Sequence, residues 1–331
     1  MRGPTRRATI LGGLASALLA GRLDAQATPG LVVLADGLAF PEGIVALRDS
    51  GTMFVEIAAG TYNRLRHGSR TPETIATLGG GPNGSTIGPD GMVYVANDGG
   101  LTFTRIAGRH VPTGVPADYR GGSIQQVNPA TGAVRTLYES VGTERLKAPN
   151  DIVCDEWGDL WFTDTGKTHA RTRDNGGLYW AKRDGSDIRE VAYPIQNPNG
   201  LALGPDRRTL YVALSDRREI AAYTIAGRGM LAGGASPSSR IVAAVGGVLL
   251  FDNLAVEANG NLVVACVQSG ELLSLSPDGR ELGRVRITEG SPTALAFGGA
   301  DQRTLYMTLS NSGIVARMAW PRPGLTALHR L

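Results

Sequence analysis

Oxygen-bearing side chains recur at one phase of this sequence. Pro41-Glu42-Gly43, Pro82-Asn83-Gly84, Pro149-Asn150-Asp151, Pro198-Asn199-Gly200, Phe251-Asp252-Asn253 and Pro292-Thr293-Ala294 each lead into an apolar segment. Their middle residues supply two carboxylates, three amides and a hydroxyl. Such hard oxygen donors suit a divalent cation that keeps room for water or a second ligand. Turn formation alone explains an asparagine at a strand start, but not Glu42 at the same phase. Glu42, Asn150, Asn199 and Asp252 are therefore the expected metal ligands. Calcium tolerates such irregular coordination and is the first expectation. Magnesium, manganese, zinc or ferrous iron are the alternatives, although zinc prefers the His or Cys that this set lacks. A cation held this way can polarise a carbonyl or phosphoryl oxygen. A carboxylate at its edge can take a proton from water. Asp252 is the expected catalytic residue, with Asn83, Asn150 and the adjacent Asp151 as substrate contacts.

The elements that would bring these residues together repeat as well. The triplets lead to Met53-Phe54-Val55, Val93-Tyr94-Val95, Leu160-Trp161-Phe162, Leu210-Tyr211-Val212, Leu262-Val263-Val264 and Leu305-Tyr306-Met307. Short strands repeating every ~40–50 residues mark a β-propeller. The expected fold is all-β, a six-bladed β-propeller with four-stranded blades, in which rotation about one axis turns equivalent positions into a ring. Leu31-Val32-Val33-Leu34 is expected to complete the last blade and close the circle. Loops after second strands overhang the ring. The longest, 97–122, carries His110, Tyr119 and Arg120, and 163–175 carries Lys167. Long loops over a cleft are usually functional, so these four residues are expected substrate contacts and 97–122 a lid or substrate wall.

Residues 1–27 read as an export signal, with Arg2, Arg6 and Arg7 before a small apolar run and Ala25-Gln26-Ala27 as a cleavage pattern. The adjacent arginines suggest the twin-arginine route. The expected location is periplasmic or secreted, and residues 28–331 form a single domain. The chain has 33 Lys+Arg and 30 Asp+Glu, and losing the signal leaves 29 of each. No basic stripe argues for nucleic acid, and no membrane association is expected after cleavage. A monomer or weak oligomer is expected. Cys154 and Cys266 fall in different blades and read as buried thiols. There is no G-x-S-x-G elbow and no H-E-x-x-H motif.

The motifs resemble the SMP-30/gluconolactonase/luciferin-regenerating-enzyme-like family. The resemblance rests on Phe40-Pro41-Glu42-Gly43, Ala148-Pro149-Asn150-Asp151 with Trp161-Phe162-Thr163-Asp164, Asn197-Pro198-Asn199-Gly200, Asp252 with Leu254-Ala255-Val256, and Ala296-Phe297-Gly298-Gly299. It implies six blades and a divalent cation on Glu42, Asn150, Asn199 and Asp252, with Asp252 as base or nucleophile. The implied activity is opening of a small-molecule lactone or ester. A phosphotriesterase-like hydrolase at the same site and a non-catalytic, calcium-stabilised binding propeller are the competing readings. The family usually has Asp-Gly where this chain has Asp252-Asn253. It has polar residues where this chain has Leu214 and Ala294, which predicts a less polar wall and a less hydroxylated substrate.

Overall fold

A computed structural model describes residues 27–331. The expected export signal lies outside them, apart from Ala27. Segments rich in Val, Leu, Tyr and Phe form antiparallel strands between Asp/Gly turns. They group into six blades. The innermost strands are Pro41–Ala46, Pro82–Ile87, Pro149–Cys154, Pro198–Leu203, Phe251–Val256 and Leu295–Gly298. Each lies against the innermost strand of the next blade, and the sixth returns to the first. Closure comes from Leu31–Ala35, which pairs with Ile314–Ala319 as the outer strand of blade six, Leu31 opposite Met318. Chain start and chain end thus share one sheet, and the circle has no open joint.

Blade four carries a short extra strand, Met230–Leu231. Ser310–Ser312 form a 3-10 turn after the second strand of blade six. The stretch 97–122 is not an irregular loop. It holds a hairpin of Thr102–Ile106 and Arg109–Gly114. Ala107 and Gly108 turn it with φ of 50° and 79°, a two-residue connection whose twist matches the strands it joins.

The core lies between blades. Trp161 and Trp180 of blade three, for example, pack with Leu201, Val212 and Tyr223 of blade four. Leu214 belongs to this cluster and is 6% exposed, and Ala294 is 3% exposed. Neither forms the less polar wall expected of it, because each turns into an inter-blade seam. Cys154 and Cys266 are free and buried as expected, and burial pushes the Cys266 thiol up to about 12.

Beyond Trp320 the chain runs beneath the ring. The fully buried Glu257 accepts from Trp320 Nε1 at 2.7 Å and from Arg322 Nη2 at 2.9 Å. Arg48 N donates to Leu331 O at 2.8 Å. Between these anchors Leu325, Ala327 and His329 line a central cavity of about 200 Å³. The tail thus floors the tunnel.

Three glycines set the spacing of the innermost strands. A Cβ on Gly43 would lie 2.0 Å from Asn83 O, one on Gly84 2.5 Å from Asn150 O, and one on Gly200 2.5 Å from Asp252 O. Each follows a ring residue and lets the neighbouring blade's ring residue approach. Gly43 also has φ +54, a conformation that side chains resist. Gly43→Ala should cost ~3 kcal/mol or more of unfolding free energy in denaturant titrations. Gly68→Ala, with φ +78 and open space around it, should cost ~1 kcal/mol.

Candidate metal and active site

A β-bulge lies at or beside the ring residue in five of the six blades. In blade three Pro149 pairs with Asp164 and Ile152 with Phe162, so Asn150 and Asp151 together face one residue. Matching register breaks occur at 42/45, 82/85, 198/201 and 251/254. A bulge bends its strand and re-aims a side chain. In blades two to five the bulge takes in Asn83, Asn150, Asn199 and Asp252; in blade one it comes one residue later, at Gly43 and Ile44, with Glu42 paired to Val55. Blade six has no such break, and its strand starts only at Leu295. Thr293 precedes that strand and serves Glu42 instead.

Glu42 is fixed on all sides. Its Oε1 accepts from Ser310 Oγ at 2.9 Å and its Oε2 from Gly43 N at 3.2 Å. The Thr293 hydroxyl lies beside the same carboxyl, in contact with Thr308 Oγ1 at 2.8 Å and with Ser310 Oγ. Burial still pushes Glu42 up to about 7, against the pull of those hydrogen bonds. Asp252 lies deep in the mouth. Burial and then the charges of Glu42 and Asp151 raise it well above the usual carboxylate range, and a hydrogen bond from Asn199 opposes them only in part. The carboxylates of blades one and five are therefore near enough for the charge of one to raise the other. Asn199 Oδ1 is buried and has no hydrogen-bond partner.

Asp151 does a different job from the one expected. Its Oδ1 accepts from Ile152 N at 2.9 Å, and its Oδ2 from Leu201 N and Asn253 Nδ2, each at 2.8 Å. Asn253 Oδ1 in turn accepts from Leu295 N at 3.1 Å. This chain of bonds pins blades three to six just below the ring, and burial raises Asp151 to about 6.

Residues 40–311 match the family model described as SMP-30/Gluconolactonase/LRE-like region. The chain belongs to that family. A gluconolactonase of Zymomonas mobilis subsp. mobilis is 28% identical over 255 residues, a match taking in 72% of this chain and 63% of that enzyme. A 6-deoxy-6-sulfogluconolactonase of Pseudomonas putida is 27% identical over 255 residues, covering 65% of this chain and 86% of the relative. Two solved structures share the fold. A gluconolactonase of Xanthomonas campestris superposes with a TM-score of 0.69 at 21% identity, covering 88% of this chain and 89% of that one. A calcium-binding regucalcin of Agrobacterium tumefaciens gives 0.68 at 16% identity, covering 92% and 98%.

Among the described residues no cluster of three or more His, Cys, Asp or Glu is spaced to hold a metal ion. The four expected ligands include only two carboxylates and so do not require one. The donors fit a hard cation on two grounds. Asn199 presents a buried carbonyl oxygen without a donor, and Glu42 and Asp252 are crowded acids with no cationic side chain helping to hold them. Asn253, a departure from the family's Asp-Gly, is explained by its bond to Asp151.

The loop residues are placed less uniformly. Lys167 is buried, its Nζ 3.2 Å from Asp98 Oδ1 and donating to Gly100 O at 2.8 Å. It ties blade three to the root of the hairpin. Tyr119 donates its hydroxyl to Lys147 O at 2.5 Å, and its ring sits under the Lys167 ammonium. Arg120 is exposed, and its carbonyl accepts from Arg145. His110 sits on the hairpin, edge-on to Phe103, whose ring in turn packs 5.1 Å from that of Phe40 beside Glu42. Ser310 escaped sequence reasoning, as did Thr293 in its role as a neighbour of Glu42. A hydroxyl in a turn carries no pattern of its own.

Raised carboxylates fix the sign of the pH dependence without a cation. Between the unfolded range near 4 and the folded values near 6 and 7, the native state binds more protons than the unfolded chain. The stabilisation is complete at the acid end and is lost as pH rises through about 7. Chelator-treated protein should therefore melt higher at pH 5 than at pH 8, by ~4 °C or more. Saturating calcium should erase or reverse that order in scanning calorimetry.

Proposed function

We propose that this protein is a divalent-cation-dependent lactonase that opens a small-molecule lactone at the mouth of its tunnel. The observation that carries the reading is the partnerless Asn199 Oδ1 beside Asp252 in a site crowded with buried acids. The lactonase names of the relatives agree with it. A cation on Glu42, Asn150, Asn199 and Asp252, calcium by donor type, would supply Lewis acidity toward the lactone carbonyl oxygen.

The side chains divide the remaining work. Glu42 has both oxygens engaged by Ser310 and Gly43, so it holds position and charge. Asp252 has only Asn199 beside it to favour its charged form, and to it we assign the base role. It takes a proton from water as the water oxygen bonds to the carbonyl carbon. The ring C–O bond then breaks, and Asp252 returns the proton to the departing oxygen to leave an open-chain hydroxy acid. Asn83 and Asn150, which are partly exposed, would orient substrate oxygens. The tail closes the lower end of the tunnel, so substrate enters from the ring face. With Leu214 and Ala294 withdrawn into seams, the ground for a less hydroxylated substrate falls away, and sugar lactones are the proposed class.

Asp252→Asn should lower kcat for lactone hydrolysis by ~10³-fold while the chelated protein melts no lower than wild type, since the change removes a crowded acid. Steady-state kinetics on a panel of sugar lactones, simple lactones and a phosphotriester, with and without chelator, decides the matter. A variant within ~10-fold of wild type would remove Asp252 from the chemistry.

A further inference from the structure

The hairpin Thr102–Ile106/Arg109–Gly114 starts from blade two, yet its tip is not at home there. Arg109–Gly114 packs against the Ser310–Ser312 turn of blade six. Arg109 lines a cleft of about 200 Å³ with Gln268, Ser269, Arg286 and Ser291, from the loops on either side of blade five's outer strands. Blade five stands opposite blade two in a ring of six. The hairpin therefore crosses the mouth, and five-residue strands are long enough, at ~17 Å, to do so.

The chemistry of this cleft is one-sided. Two arginines face into it, and no Asp or Glu lines it. Two acids adjoin the lining residues in sequence: Glu289 is taken up by Thr28, whose N and Oγ1 donate to it at 2.8 and 2.6 Å, and Glu271, opposite Arg286 in the sheet, pairs with Arg284 at 3.3 Å. Arg109 makes no side-chain hydrogen bond or ion pair among the described residues. Arg286 reaches only the Ser269 carbonyl. Arg109 and Arg286 are both exposed to solvent at the cleft. Two like charges lining one cleft disfavour each other. An oxyanion between them relieves that, since arginine donors make strong charge-assisted bonds to carboxylate or phosphate.

We propose that Arg109 and Arg286 form an oxyanion subsite that clasps the hairpin tip to blade five. The oxyanion is a carboxylate or phosphate, either free in solution or carried on the far end of the substrate. Its link to the ring is short. Gly290 on the cleft wall abuts Ser312, and Ser310 of the same turn holds Glu42. The substrate-borne form rests on the lactonase reading above; anion binding itself does not.

The experiment is calorimetric titration of inorganic phosphate into the calcium-loaded protein, which needs no activity. Wild type should bind phosphate, and Arg109→Ala and Arg286→Ala should each weaken binding at least ~10-fold. Arg105→Ala, on the same hairpin but outside the cleft, should not. Kinetics on a carboxylate-bearing lactone and its neutral counterpart then separate the sources. If Arg109→Ala raises the KM ratio of charged to neutral lactone ~10-fold, the anion is the substrate's own. If phosphate binding responds and the ratio does not, the subsite takes a free anion. Absence of phosphate binding together with an unchanged ratio, or binding equal in all four proteins, overturns the proposal. Loss of lactone turnover by itself would count against the ring, not against this cleft.

Discussion

Uncompensated negative charge in the tunnel mouth is the constraint around which the structure is arranged. Glu42, Asp151 and Asp252 are drawn from three blades into a space where Asp151 raises the proton affinity of Glu42 and both raise that of Asp252. Isolated buried carboxylates are costly, and a protein retains them only with a partner or by protonating them. Here the protein supplies hydroxyls, amides and backbone N–H groups but no ammonium, guanidinium or imidazole. On the reading proposed above a divalent ion is the compensation, and the lone Asn199 carbonyl marks where one of its bonds would fall.

The propeller makes that crowding possible. Bulges lie at or beside the ring residues of five innermost strands, and glycines one residue on let the next blade close up. The Asp151–Asn253–Leu295 relay stiffens the level below. Removing a single glycine side-chain vacancy would therefore disturb ligands on two blades at once. The carboxyl-terminal tail and the hairpin complete the enclosure from opposite ends, so that chemistry at the ring faces a partly covered mouth and a floored tunnel.

Much of this was legible in the sequence because closure converts a phase into a place. Glu42, Asn150, Asn199 and Asp252 could be grouped without knowing any distance, and the first strand's return to blade six follows from the same closure. What could not be read depends on contacts that have no period. Ser310 meets Glu42 across 268 residues, from a turn rather than a strand. Leu214 occupies a strand end where the choice between cleft and seam depends on the neighbouring blade. The hairpin in 97–122 is short, exposed and polar, with Thr, Arg and His where a core strand would carry aliphatics, so it gave no strand signal. Lys167 looked like a free cation over the cleft because its partner, Asp98, belongs to another loop.

The most direct test of the account is a calorimetric titration of calcium into chelator-treated protein at neutral pH, repeated in buffers of different ionisation enthalpy. One ion per chain should bind, with release of protons from the acids that the ion forces to ionise. Binding without proton release, or no binding at all, would contradict the claim that a cation resolves the buried charge.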